Sequence, residues 1–335
     1  MLKVALLDDY AGMALASADW STLEDLAEIH VFGEHLSEAQ AVELLQPFDV
    51  LCTIRERMAL PRPLFERLPN LKLVTIIGTS LPNLDMDAAT EHGVLIVHPD
   101  PERPRSAATM NATPELAWGL LIATVRHFAV EQRRLREGLW QNTVGTVLAG
   151  RTLGLLGLGN IGQRMARYGQ AFDMEVIAWS QNLTAEAAAD IGVRRVEKDE
   201  LFAKADILSI HVRLSDRTRS LVAARELALM KPTATLINTA RGPIVEEEAL
   251  IVALTERRIA GAGLDVFDME PLPPDHPLRM LDNVTLTPHL GYVTGETLAA
   301  FYGDIPDAIA AFARGAPIRV INREALDHPR HRGGA

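Results

Sequence analysis

The sequence of 335 residues contains one cysteine, Cys52, and only 5% aromatic residues. A lone cysteine excludes a disulfide framework and any multi-cysteine metal site. Positive charge is also scarce. Lys and Arg number 33 against 44 Asp and Glu, giving a net charge of −11. That balance argues against nucleic acid or an anionic membrane as partner. It leaves room for a small anion held by a local arginine cluster. Long apolar runs are missing as well, and none reaches the length of a membrane span. The opening run, residues 2–7, is too short for a secretory leader and ends in Asp8 and Asp9, so it reads as a first strand. A cytoplasmic address is expected. His30, His35, His92 and His127 have no partners at metal-ligand spacing, so no metal is expected.

What is present is ordinary globular composition, 48% apolar and 23% charged, which excludes a disordered or collagen-like chain. The length suggests two domains at roughly 150 residues each. Strand candidates at 3–7, 29–32, 50–54, 72–77 and 94–97 alternate with helical patterns such as 38–45 and 63–68. That alternation implies βαβ units and a parallel sheet. Residues 98–105 carry three prolines, Pro99, Pro101 and Pro104, and read as a linker. Residues 114–137 read as one long helix, with Thr113 as N-cap and Pro114 in the first turn. A second series of six strands follows, at 152–156, 175–178, 206–211, 235–238, 261–266 and 283–287. Six is the count of a complete doubly wound sheet. A further helix is expected over 294–313, and the tail 328–335 has a disordered composition.

The strongest local signal is Gly157-Leu-Gly159-Asn160-Ile161-Gly162, placed between an apolar strand and a helical pattern. In this G-x-G-x-x-G, the first glycine permits the tight turn and the second lets the backbone approach a pyrophosphate. The third lets helix and strand pack closely. A diphosphate then rests on free N–H groups at the helix N-terminus. The second strand of the series ends Trp179-Ser180-Gln181-Asn182. It has neither the carboxylate that pairs a ribose diol nor an arginine to welcome a 2′-phosphate. Ser180 and Gln181 can hydrogen-bond either sugar, so NAD and NADP both remain open. His211, at the end of its strand, is placed to line an adenine pocket.

Three further strand ends carry chemistry. Arg241 follows residues 235–238, Glu270 follows 261–266, and His289 follows 283–287. Ligands of open α/β sheets bind beyond the carboxyl ends of the strands, so these groups converge on the cofactor edge. An arginine can hold a carboxylate, a histidine can donate a proton near neutral pH, and a nearby carboxylate favours the protonated histidine. Together they suit reduction of a 2-keto acid.

The residues Gly157–Gly162, Asn238-Thr239-Ala240-Arg241-Gly242-Pro243, Leu264-Asp265-Val-Phe-Asp-Met-Glu270-Pro271 and Pro288-His289-Leu-Gly291 are now all in view. On them, and over nearly its whole length, the chain resembles the D-isomer-specific 2-hydroxyacid dehydrogenases. The resemblance implies an NAD(P)-dependent enzyme interconverting a small 2-keto acid and its D-2-hydroxy acid. His289 would be the acid/base, Glu270 its partner, and Arg241 the binder of substrate carboxylate and carbonyl. Asp265 would contact the nicotinamide carboxamide, with Thr239 and Ala240 in the cofactor set. The implied α/β fold has two doubly wound parallel-sheet domains and forms a homodimer. A Rossmann cofactor domain, 101–290, is inserted into a flavodoxin-like substrate domain, 1–100 plus 291–335, with the active site in the cleft. Gly78, Thr79 and Ser80 would offer backbone N–H groups to the substrate carboxylate. The chain departs from the family at Leu81, where an asparagine is common, with Asn83 as a substitute. Arg55, ahead of Arg57, Arg103 and Arg105, is the candidate for a second anionic group. A second reading is a catalytically weak, dinucleotide-binding regulator of corepressor type.

Overall fold

The computed structural model describes residues 1–55, 57–77, 83–100 and 106–331. It divides into two compact units, Met1–Arg105 with Thr294–Ala335, and Ser106–Val293.

Among its described residues the first unit holds five strands: β1 (Leu2–Leu6), β2 (Ala27–Val31), β3 (Val50–Ile54), β4 (Leu73–Ile77) and β5 (Leu95–Val97). All pairings are parallel, in the order β2-β1-β3-β4-β5. This is the flavodoxin-like order. Every residue of β3 and β4 is buried. Continuous apolar strands are what a parallel sheet covered on both faces requires. The edge strand β2 is largely exposed beyond Ala27. The segment after Thr294 returns to this sheet. Val320 bridges Val97 antiparallel, and the Ile321 N–H donates to the Ile96 carbonyl at 2.8 Å. Buried Asn322 accepts from the Ile96 N–H at 2.8 Å and donates to the Val94 carbonyl at 2.9 Å.

The second unit holds seven parallel strands. They are β6 (Thr152–Leu156), β7 (Glu175–Trp179), β8 (Arg194–Arg195), β9 (Ile207–Ile210), β10 (Thr235–Asn238), β11 (Gly261–Leu264) and β12 (Val284–Leu286). Their order, β12-β11-β10-β9-β6-β7-β8, is the doubly wound 3-2-1-4-5-6 pattern with one more strand. Two apolar layers cover the sheet. One centres on Phe202, Leu208, Leu236 and Leu254, the other on Leu121, Leu153, Met165 and Ile237.

Several expectations need correction. The sheet has a seventh strand, β8, which is only two residues long and has too little pattern to be read. The helix expected over 114–137 is two helices, Ala107–Val125 and Phe128–Arg136. Ser106, not Thr113, caps the first, accepting the Thr109 N–H at 3.1 Å, so Pro114 lies inside it. His127 adopts a left-handed backbone, φ 55°, and breaks the run. The helix expected over 294–313 is Gly295–Tyr302 and Ile305–Ala313, the second started by Pro306 in its first turn. The tail is anchored as far as His331. Arg330 donates to the carbonyls of Leu71 and Pro69, and a His331 ring nitrogen lies 2.7 Å from the Gly93 carbonyl. Among the described residues no helix is long and apolar enough to cross a membrane.

Candidate active site

The order of the seven-stranded sheet reverses between β6 and β9, and the glycine loop leaves β6 at that switch point. Gly157 takes φ 105°, and a Cβ there would lie 2.8 Å from the His211 carbonyl. A Cβ on Gly162 would strike the Gly157 carbonyl oxygen. These two glycines are demanded by the fold itself. Gly159 is different. Its φ is −78°, open to any residue, and a Cβ there would meet nothing within 4 Å. Among the described residues no side chain caps the following helix, Asn160–Ala171, so its first N–H groups have no side-chain acceptor. A glycine unneeded by the protein, beside uncapped helix N–H groups, fits the close approach of a diphosphate. Asn160 and Ile161 supply the first turn.

Other candidate cofactor residues line the same edge. Ser180 and exposed Gln181 follow β7, whose Trp179 carbonyl accepts the Gly157 N–H at 2.8 Å. The His211 ring lies 2.8 Å from Ser209 Oγ, and burial pushes its pKa down to about 3, so it is neutral. Its backbone abuts Gly157. Thr239 is buried, and its hydroxyl has no hydrogen-bond partner among the described residues. The Ala240 N–H is already held by Asn238 Oδ1 at 3.0 Å.

The three strand ends bearing Arg241, Glu270 and His289 are stitched together. The Asp265 N–H donates to the Asn238 carbonyl at 3.0 Å, and the His289 N–H to the Asp265 carbonyl at 2.8 Å. Asn238 Nδ2 also donates to the Arg241 carbonyl at 3.0 Å. At Gly242 a Cβ would strike the Phe267 carbonyl, so the Arg241 loop packs directly on the loop leading to Glu270. Arg241 is half-buried and one Nη donates to the Ala240 carbonyl at 2.6 Å.

His289 Nδ1 lies 2.5 Å from Glu270 Oε2, while Glu270 Oε1 accepts the Phe267 N–H at 2.9 Å. Both carboxylate oxygens are thus engaged, and Nε2 is the imidazole nitrogen left for a ligand. The Tyr292 ring packs edge-on against the imidazole, centroids 5.6 Å apart. His289 is left-handed, φ 54°, a conformation that costs a side-chain-bearing residue roughly 1–2 kcal/mol. Asp265 holds it there. Its Oδ1 accepts from Thr287 Oγ1 at 2.6 Å and the Leu290 N–H at 2.7 Å, its Oδ2 from the Gly291 N–H at 2.9 Å. Burial drives the Asp265 pKa up, against the pull of the Thr287 hydroxyl. This pinning of the His289 turn, like the bracing by Asn238, was not read from the sequence. An acid or amide at a strand end was its only signal.

Arg55 belongs to the first unit. It follows β3, takes φ 48°, and stacks its guanidinium on Phe301 at 5.5 Å from the ring centre. Gly78, Thr79 and Ser80 lie outside the described residues. Among the described residues no group of three or more His, Cys, Asp or Glu is placed to hold a metal ion.

A family model described as "D-isomer specific 2-hydroxyacid dehydrogenase, NAD binding domain" matches residues 118–291. The chain is 37% identical over 273 residues to a glyoxylate reductase of Aeropyrum pernix, covering 78% of this chain and 80% of that protein. It is 36% identical over 274 residues to a hydroxypyruvate reductase of Thermotoga maritima, covering 80% and 86%. Among solved structures, a phosphoglycerate oxidoreductase of Vibrio cholerae superposes with a TM-score of 0.87. The two are 34% identical, with 94% of this chain and 100% of that one covered.

Proposed function

This chain belongs to the D-isomer-specific 2-hydroxyacid dehydrogenase family, and from that premise we propose that Arg241, Glu270 and His289 carry its chemistry. It is an oxidoreductase that interconverts 2-keto and 2-hydroxy acids with a nicotinamide dinucleotide. The nicotinamide dinucleotide that the Gly157–Gly162 loop would hold would supply the hydride chemistry. The Arg241 guanidinium pairs with the substrate carboxylate through parallel N–H donors and polarises the keto oxygen. His289 Nε2 delivers a proton to that oxygen as negative charge develops, and recovers it in the oxidative direction. Glu270 fixes the ring through Nδ1 and balances the positive charge on the protonated imidazole. The Asp265 pin keeps the His289 turn in register with both.

The observation that carries this reading is the 2.5 Å His289–Glu270 contact on a sheet edge shared with Arg241 and the glycine loop. The substrates we propose are small 2-keto acids of the glyoxylate and hydroxypyruvate class, after the names of the relatives. The test is loss of nicotinamide absorbance with each keto acid, for the unaltered chain and for His289→Asn. Turnover unaffected by His289→Asn would show that another group moves the proton.

Two finer readings accompany this one. We place the first unit as the substrate-binding part. We also read the protein as a cytoplasmic homodimer. The dimer is supported by apolar side chains exposed over one segment, among them Leu135 at 61%, Trp140 at 75% and Val144 at 91%. The cytoplasmic address is supported by the lone buried thiol, Cys52. Sedimentation of the intact chain and of Trp140→Glu tests the dimer.

A further inference from the structure

The end of β7 decides which sugar a dinucleotide can present. The Trp179 carbonyl is bound by Gly157, so this strand end lies directly beside the glycine loop. The chain then turns, with the Leu183 N–H donating to the Ser180 carbonyl at 3.1 Å. A carboxylate on such a turn would pair the ribose hydroxyls and repel a 2′-phosphate. Ser180, Gln181 and Asn182 stand there instead, and no hydrogen bond from another described residue holds their side chains.

The cation missing from this turn comes from the neighbouring strand. Arg195 of β8 is in register with Ala178 of β7, and its Nε–H donates to the Leu183 carbonyl at 3.0 Å. Its guanidinium therefore sits against the turn. The preceding Arg194 is already divided between Glu175, at 2.8 Å, and Glu200, at 3.1 Å. Among the described residues Arg195 has one acidic partner, Glu197 at 2.7 Å, whose side chain is 73% exposed. A solvent-exposed pair of this kind is weak, so a doubly charged phosphate can displace the carboxylate.

We propose that Arg195, with the polar side chains of Ser180, Gln181 and Asn182, forms a subsite for the 2′-phosphate, so that the chain prefers NADP(H) to NAD(H). The proposal rests on the reading of Gly157–Gly162 as the dinucleotide loop. It explains why the strand end lacks an acid without carrying an arginine itself. The basic group is supplied 13 positions after Asn182, on a strand too short to be read from pattern.

Binding of nucleotide fragments to the full chain tests this without any turnover. Adenosine 2′,5′-bisphosphate and adenosine 5′-monophosphate are titrated calorimetrically. The unaltered chain is expected to bind the bisphosphate about tenfold or more tightly, the scale of one or two charge-assisted hydrogen bonds. Arg195→Ala removes most of that preference and leaves the monophosphate affinity within about twofold. Glu197→Gln, which keeps Arg195 and the turn, strengthens bisphosphate binding alone. Equal binding of the two nucleotides by the unaltered chain overturns the proposal, as does an Arg195→Ala chain with the original ratio. If neither nucleotide binds, the dinucleotide-loop reading itself fails and this one falls with it. If the monophosphate binds but is not outcompeted, only the Arg195 subsite is lost.

Discussion

The two sheets share an architecture but treat the end of their first strand in opposite ways. After β1 the chain runs Leu7-Asp8-Asp9-Tyr10. The Asp9 carboxylate, 6% exposed, accepts the Met13 and Ala14 N–H groups at 2.9 and 3.0 Å. After β6 it runs Gly157-Leu158-Gly159, and among the described residues no side chain caps the helix that follows. One loop meets its unpaired N–H groups with a carboxylate of its own. The other supplies none, which suits the diphosphate site we propose there. Parallel topology places a loop at the carboxyl edge, but whether that loop takes an anion depends on whether the chain already supplies one.

The sharpest break of this comparison is at the chemistry itself, because it is the second sheet whose strand ends carry Arg241, Glu270 and His289. His289→Asn is expected to lower kcat by about 10²–10⁴, the range for loss of a general acid, while dinucleotide affinity stays unchanged. Stopped kinetics alongside dinucleotide titration check both halves. A matching fall in dinucleotide affinity would move His289 from proton transfer to cofactor binding.

Next in size is the contrast between the glycines. Gly159→Ala is free of strain and of clashes with the chain, so its melting temperature should stay close to the original. Its dinucleotide binding should weaken by about tenfold or more, as a methyl group takes the space of a phosphate contact. Gly157→Ala faces φ 105° and the His211 carbonyl, so it should lower the melting temperature as well. If Gly159→Ala bound dinucleotide normally, the open space beside it would not be the diphosphate site.

In the first sheet the mirror-image variant is Asp9→Ala. It strands two N–H groups and should destabilise that unit by about 1–3 kcal/mol, without altering dinucleotide affinity. Differential scanning calorimetry and the same titration check it. Lost affinity would contradict the division of labour between the two loops.

These variants also mark how far the sequence could be read. The glycine loop was legible because its constraint is local: three glycines, a strand and a helix within a dozen residues. The placement of Arg241, Glu270 and His289 on one sheet edge was legible because each lies just beyond a strand that its apolar pattern marks. The break at His127 was not, because a left-handed histidine leaves no trace in composition. The start of the long helix was misplaced because two capping signals compete. Ser106 wins over Thr113-Pro114 by adding two helical turns that bring Asn111 to Arg164, 2.8 Å away. The tail looked disordered because what anchors it, the carbonyls of Pro69 and Leu71, lies more than 250 residues earlier. Pinning by Asp265 was hidden because its partners, the Thr287 hydroxyl and the Leu290 and Gly291 N–H groups, stand on the loop after the next strand.

The smallest effect concerns His211, the residue whose backbone closes the glycine turn. Its ring is neutral in the folded chain, with a pKa near 3 set by burial, against about 6.5 when exposed. Between those values the unfolded chain binds a proton that the folded chain refuses. Stability therefore rises with pH across that window and is lost as pH falls below about 6.5, by at most about 1.4 kcal/mol per unit from this one group. In His211→Gln the contribution disappears, so the melting temperature should depend less steeply on pH between about 6.5 and 4.5. Parallel slopes for the two proteins would mean that the ring is charged, or open to water, in the folded state. The turn around Gly157 would then owe its shape to the His211 backbone alone, which places that turn's requirement for glycine in the main chain and leaves the side chain free to vary.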